Sequence, residues 1–78
     1  NKKPIIINVK VLNLLKRDSI VDIETLIKNH IVDEAEAKMY GVKILGDGIL
    51  SVPLTVLLPV SKGAKKKIED IGGKVAYE

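Results

Sequence analysis

The chain has 78 residues with 13 basic and 10 acidic side chains, a net charge of +3, and only Tyr40 and Tyr77 as aromatic residues. A chain of this length buries roughly 60% of its unfolded surface, so the core is thin and aliphatic, and net stability falls at about 4 to 12 kcal/mol. The lack of cysteine excludes disulfide scaffolds, thiolate zinc sites and thiol nucleophiles, and no apolar run approaches the roughly 18 to 20 residues that span a bilayer.

Ile5-Ile6-Ile7, β-branched and following Pro4, predicts a strand. Val11, Leu12, Leu14 and Leu15 predict a short helix over 9–15, capped by Asn8. Asp18-Ser19 marks a turn, and Ile20-Val21 continues the apolar surface. A clearer helix spans Asp22 to Asn29. Asp22 can accept from the free amides of its first turn, and Ile23, Leu26, Ile27 and His30 fall on one face. Residues 33–40, acidic and alanine-containing, read as a surface loop or frayed turn.

Val42 to Leu45 predicts a strand closed by Gly46-Asp47-Gly48, a strong turn signal because glycine accepts positive φ at little steric cost. Pro53 belongs at a strand start or an edge. Leu54 to Val60, the longest apolar run, predicts a buried strand whose end Pro59 takes out of the ladder. Ser61 then opens a helix with Ala64, Ile68 and Ile71 on its core stripe. Gly72-Gly73 supplies the C-cap, and Lys74 to Tyr77 a closing strand. The expectation is an α/β fold with a small mixed sheet and two to three helices, residues 1–78 forming one domain. The chain opens on Asn1 rather than Met, with no signal-peptide pattern, and is expected to be a piece of something longer.

Charge is unevenly spread. Residues 1–17 carry Lys2, Lys3, Lys10, Lys16 and Arg17 without an acid, and residues 18–36 carry six acids against Lys28 alone. A polyanion-facing side and ordinary charge scatter both fit this pattern. Lys62, Lys65, Lys66 and Lys67 crowd the last helix. Cations in a first turn oppose the helix dipole, so an anion bound there would relieve them; a solvated lysine face is the alternative. The Gly46-Asp47-Gly48 loop allows close backbone approach to a phosphate or base, or is a structural turn. It matches no P-loop or dinucleotide fingerprint. His30 reads as a helix-end residue, and the carboxylates show no metal spacing. With no convincing nucleophile–base pair, the chain is not expected to be an enzyme.

In order, Lys43-Ile44-Leu45-Gly46-Asp47-Gly48, Leu54-Thr55-Val56, Ser61-Lys62-Gly63-Ala64, Ile68-Glu69 and Gly72-Gly73 resemble the C-terminal region of the ribosomal protein L-fifteen family, bacterial and organellar type. Ile5-Ile6-Ile7-Asn8 and Val21-Asp22-Ile23-Glu24-Thr25-Leu26 resemble its upstream segments. The resemblance implies a structural component of the large ribosomal subunit, in a cytoplasmic or organellar ribosome. The implied partners are large-subunit rRNA and neighbouring ribosomal proteins, with no cofactor, metal, membrane or small-molecule substrate. It also implies an irregular superhelix of strand–strand–helix turns. The basic N-terminal extension usual in the family is expected to be absent, leaving the C-terminal globular domain. Carried onto this sequence, the RNA-facing candidates are Lys43, Gly46, Gly48, Ser61, Lys62, Lys65 and Lys66, joined by Lys2 and Lys3 of the basic first segment. Two departures, Ser51-Val52-Pro53 where the family often has lysines and Leu57-Leu58-Pro59-Val60 where it has small, polar or aromatic residues, weaken the case for RNA contact over 51–60. Leu57-Leu58 would then meet a neighbouring protein. A protein–protein module docking through that segment is the rival reading.

Overall fold

The computed structural model describes residues 3–77. Its first sheet pairs β1 (Ile5–Asn8) in parallel with β3 (Val42–Leu45), in the register Ile5↔Val42 to Asn8↔Leu45. Side chains alternate across a strand, so the partners Ile7 and Ile44 enter the core while Ile6 and Lys43 share the outer face. The second sheet orders β2 (Ile20–Val21), β4 (Thr55–Val56) and β5 (Lys74–Val75), again all parallel. Val21, Val56 and Val75 form its inner row, and Ile20, Thr55 and Lys74 its outer one. The α/β class stands, with three α-helices among the described residues.

Leu54 to Val60 is not one continuous strand. Only Thr55 and Val56 lie in the second sheet, although the Leu57 amide still reaches the Val21 carbonyl at 2.9 Å. Pro59 has no N–H to continue the ladder, and its carbonyl accepts from the Ile44 amide at 2.8 Å instead. Val60 then bridges to Ile44 in parallel. One apolar segment thus leaves the second sheet and joins the first.

The connection from β1 is a 3-10 helix over Val9–Leu14, and Asn8 takes its N-cap position in an extended conformation without a side-chain bond, so the expected side-chain cap is not formed. Helix α1 (Ile23–Lys28) is capped as its sequence dictates, with Asp22 accepting from the Thr25 amide at 2.8 Å. Beyond it His30 is exposed, in a left-handed turn at φ 59°.

Residues 33–40 are a helix, not the expected loop. Helix α2 (Glu34–Tyr40) is started by Asp33, which accepts from the Glu36 amide at 3.1 Å, and is closed by Gly41 at φ 76°. Glu34, Ala35, Ala37, Lys38 and Met39 are strong helix formers. The Asp33-x-x-Glu36 spacing matches a capping box in sequence. The loop expectation followed the missing apolar stripe, since only Ala37 is buried.

Helix α3 (Lys62–Asp70) buries Ala64 and Ile68, and Gly72 beyond it takes the left-handed conformation at φ 90°. The strand after it is shorter than expected, ending at Val75. Gly73 is wedged between helix and sheet: its amide donates to the Ile68 carbonyl at 2.9 Å, and the next amide, of Lys74, to the Leu54 carbonyl at 2.9 Å. One aliphatic cluster fills the interior, led by Val9, Leu12, Leu26, Ile44, Leu54 and Ile68, and no polar or charged residue is buried among the described residues.

Candidate nucleic-acid interface

The end of β3, the start of α3 and the 3-10 helix meet around the loop Gly46-Asp47-Gly48. Ser61 fixes the first junction. Its amide donates to the Ile44 carbonyl at 2.9 Å, and its hydroxyl accepts from the Ala64 amide at 3.2 Å as the N-cap of α3. Gly46 then lies so near the first turn of α3 that an added Cβ would stand 2.8 Å from both Ala64 N and Gly63 C. Gly48 has φ 90°, and a Cβ there would meet the Lys10 side chain at 2.5 Å. Both glycines therefore have a packing reason, beside any reason a ligand supplies.

Two lysines that the sequence reading left out of the site hold this loop. Lys67 Nζ donates to the carbonyls of Gly46 at 2.6 Å and Gly48 at 2.5 Å. From the other side, the Lys10 amide reaches the Asp47 carbonyl at 3.4 Å and its ammonium pairs with the Asp47 carboxylate at 3.3 Å. For Lys67 a signal was available. At 100° per residue, Lys62, Lys65 and Lys66 fall within one stripe, opposite the buried Ala64, while Lys67 is offset toward the core edge. Its long stem can lie along apolar surface and deliver the ammonium at the rim. For Lys10 nothing local distinguished it from the other N-terminal cations.

Lys62, Lys65 and Lys66 are exposed. Lys66 is partly neutralised by Asp70 at 3.6 Å, whereas Lys62 and Lys65 enter no ion pair among the described residues. The first turn of α3 holds no acid, unlike α1 with Glu24 and α2 with Glu34 and Glu36. Three like charges at i, i+3 and i+4 repel one another and oppose the positive end of the helix dipole, a cost that a bound polyanion removes. Lys43 is half-buried on the outer face of the first sheet beside Ile6. Lys3 is exposed ahead of β1, whose first amide, of Ile5, bonds the Gly41 carbonyl at 2.9 Å. In a parallel pair this is the far end of β3 from the loop, about 13 Å away for four residues. The structure therefore gathers Gly46, Gly48, Ser61, Lys62 and Lys65 and leaves Lys3 apart; Lys2 lies outside the described residues.

The other features of the surface are modest. The larger groove, about 600 Å³, is open and lined by Leu14, Lys16, Asp18, Ser19, Thr25 and Lys28. Among the described residues, no group of three or more His, Asp or Glu could hold a metal and no helix is long and apolar enough to cross a membrane. Of the segment proposed to dock a protein, Leu57 is 40% exposed but Leu58 is buried at 7%, so the apolar surface is Leu57 with Ile20 on the outer face of the second sheet, not Leu57-Leu58.

On a small α/β core, Lys62 and Lys65 stand without an ion pair among the described residues, beside a glycine loop held by Lys67 and Lys10. Comparison with known proteins adds the family. The sequence profile of the family that unites ribosomal proteins 50S-L15 and 50S-L18e with their counterpart in the 60S subunit matches residues 6–76. The chain is 42% identical over 71 residues to the large ribosomal subunit protein uL15 of Coprothermobacter proteolyticus, covering 90% of this chain and 46% of that protein. It is 45% identical over 69 residues to uL15 of Agathobacter rectalis, covering 87% and 45%. Against uL15 of Lactobacillus helveticus it is 43% identical over 75 residues, covering 95% and 49%. The chain belongs to this family of ribosomal proteins, and it spans just under half the length of these relatives.

Proposed function

We propose that this chain is a non-catalytic structural part of the large subunit of a cytoplasmic or organellar ribosome, binding large-subunit rRNA and supporting subunit assembly. The observation that carries the reading is family membership over nearly the whole chain, with relatives named as large ribosomal subunit proteins. Lys62 and Lys65, without an ion pair among the described residues and beside the Gly46–Gly48 loop, give it a physical basis. Lysines neutralise phosphates and release condensed counterions, and the folded core fixes their register. Lys43 and Lys66 extend the surface, Lys3 engages RNA from the far end of β3, and Lys2, outside the described residues, is proposed as a further RNA contact. The aliphatic core shared by the elements from β1 to β5 supports reading the chain as one folded unit.

Binding to transcribed fragments of bacterial large-subunit rRNA, measured over a series of salt concentrations, tests this. Submicromolar binding with a steep salt slope is the expected result, and Lys62→Ala and Lys65→Ala each reduce the slope by roughly one. Binding that ignores both salt and the two substitutions would reject the lysine stripe as the RNA-facing surface. The exposed Ile20 and Leu57 favour a second contact, with a neighbouring ribosomal protein, through the outer face of the second sheet.

A further inference from the structure

The four lysines of α3 divide by geometry. Lys62, Lys65 and Lys66 share the outer stripe, while Lys67 points its ammonium at two loop carbonyls. An ammonium has three donors and no acceptor, and two of the three are used inside the protein. The consequence falls on the loop. All three of its carbonyls are engaged: those of Gly46 and Gly48 by Lys67, and that of Asp47 by the Lys10 amide. The Asp47 carboxylate, the one acid in the loop, is paired with Lys10 at 3.3 Å. By contrast the amides of Gly46, Asp47 and Gly48 have no protein acceptor among the described residues. The loop's acceptors are occupied and its donors are available, the polarity suited to an anionic oxygen.

We infer that Lys67 is a positioning residue for the RNA-binding surface, holding the carbonyls of Gly46 and Gly48 so that the loop meets phosphate with its amides, while Lys62 and Lys65 supply the charge. This rests on the RNA-binding reading above. It separates Lys67 from its neighbours in the same helix: loss of Lys67 disorders the loop, whereas loss of Lys65 removes a phosphate contact and leaves the loop in place.

The test compares Lys67→Met, Lys67→Arg and Lys65→Met in the whole chain, by two readouts. In the free protein, backbone order parameters of Gly46, Asp47 and Gly48 should fall from about 0.85 to below about 0.6 in Lys67→Met. They should recover in Lys67→Arg, whose guanidinium can also reach both carbonyls, and stay unchanged in Lys65→Met. With large-subunit rRNA fragments, Lys67→Met should weaken binding about fivefold to tenfold at an unchanged salt slope. Lys65→Met should lower the slope by roughly one. An ordered loop in Lys67→Met overturns the inference, and so does a slope reduced in Lys67→Met as it is in Lys65→Met, which would make Lys67 a phosphate contact. Absence of salt-dependent RNA binding by the unmodified chain removes the RNA reading alone, and the order parameters still decide whether Lys67 holds the loop.

Discussion

The Asn13 side chain accepts a hydrogen bond from the Ser51 amide through Oδ1 at 2.8 Å, across 38 positions of sequence, and donates through Nδ2 to the Ile49 carbonyl at 2.8 Å. One amide side chain thereby reads both a donor and an acceptor of the same loop, which only one orientation of its oxygen and nitrogen allows. Together with Lys10 it fastens the 46–51 loop to the 3-10 helix. Asn13→Ala loses these two bonds and a third, from Nδ2 to the Lys10 carbonyl at 3.1 Å, and should cost about 1 to 2 kcal/mol near the surface, seen as a fall in Tm of roughly 4 to 16 °C. Asn13→Asp keeps the acceptor and loses the donor, so its stability should fall between those of the parent and Asn13→Ala. An Asn13→Ala variant as stable as the parent would show that the loop is held without this clamp.

Neighbouring glycines should respond in opposite directions. At Gly46 a new methyl would press on the backbone of Gly63 and Ala64 at 2.8 Å, and backbone cannot rotate away. Gly46→Ala should destabilise by about 1 to 3 kcal/mol. Gly63, within α3, has nothing within 4 Å of a new Cβ. Gly63→Ala should therefore stabilise by about 0.4 to 1 kcal/mol, by restricting the unfolded chain and improving helix propensity. Urea midpoints of the two variants against the parent decide the matter; equal midpoints would contradict the close approach.

Ile68 is fully buried on the inner face of α3, in a cluster without any aromatic residue to fill a void. Ile68→Ala should cost about 2 to 5 kcal/mol, a large share of the stability a 78-residue chain can hold. Ile68→Val should cost about 0.5 to 1.5 kcal/mol. Thermal unfolding of the pair measures the gradient, and an Ile68→Ala variant that melts with the parent would exclude Ile68 from the core.

Helix α2 carries an ion pair that shifts the ionisation of Lys38. Lys38 is raised above its ordinary value of 10.5, first by its hydrogen bond to Glu34 and then by that carboxylate's charge. A base raised in the folded state contributes fully below its unfolded value and loses that contribution as pH climbs through the folded one. Glu34→Gln should therefore narrow the difference in stability between neutral pH and pH above 10.5. Because the pair is exposed the effect is small, and chemical-shift titration of Lys38 reads it directly. An unchanged Lys38 midpoint in Glu34→Gln would remove the pair as the cause.

Elements with a strong apolar period and a capping residue were legible in the sequence. Asp22 and Ser61 start α1 and α3 through the bonds their side chains allow, and Ile5 to Ile7 and Val42 to Leu45 form the strands their short apolar runs predict. Helix α2 escaped because its evidence lay in propensity and a cap, while only one of its residues is buried. The short β4 escaped because Leu54 to Val60 serves two sheets, and no local pattern says where a strand changes neighbours. In the site, the cations on α3 were visible by composition. Periodicity sets Lys67 apart toward the core edge, but its target, the Gly46 carbonyl 21 positions earlier in the chain, is a tertiary contact that no local pattern names.

The passage of residues 54–60 from one sheet to the other also sets a timetable. Every strand pairing among the described residues is parallel and distant: Ile5 meets Val42, Ile20 meets Thr55, and Thr55 meets Lys74. Parallel partners need a crossover between them, and topologies dominated by remote pairings assemble slowly, on the order of milliseconds to seconds. Since Val56 and Val60 serve different sheets, neither sheet has its full set of neighbours until the chain beyond residue 60 is available, and the second waits for Lys74 and Val75. On a translating ribosome Lys74 and Val75 emerge after the other paired strands among the described residues, so the second sheet closes only once they are available.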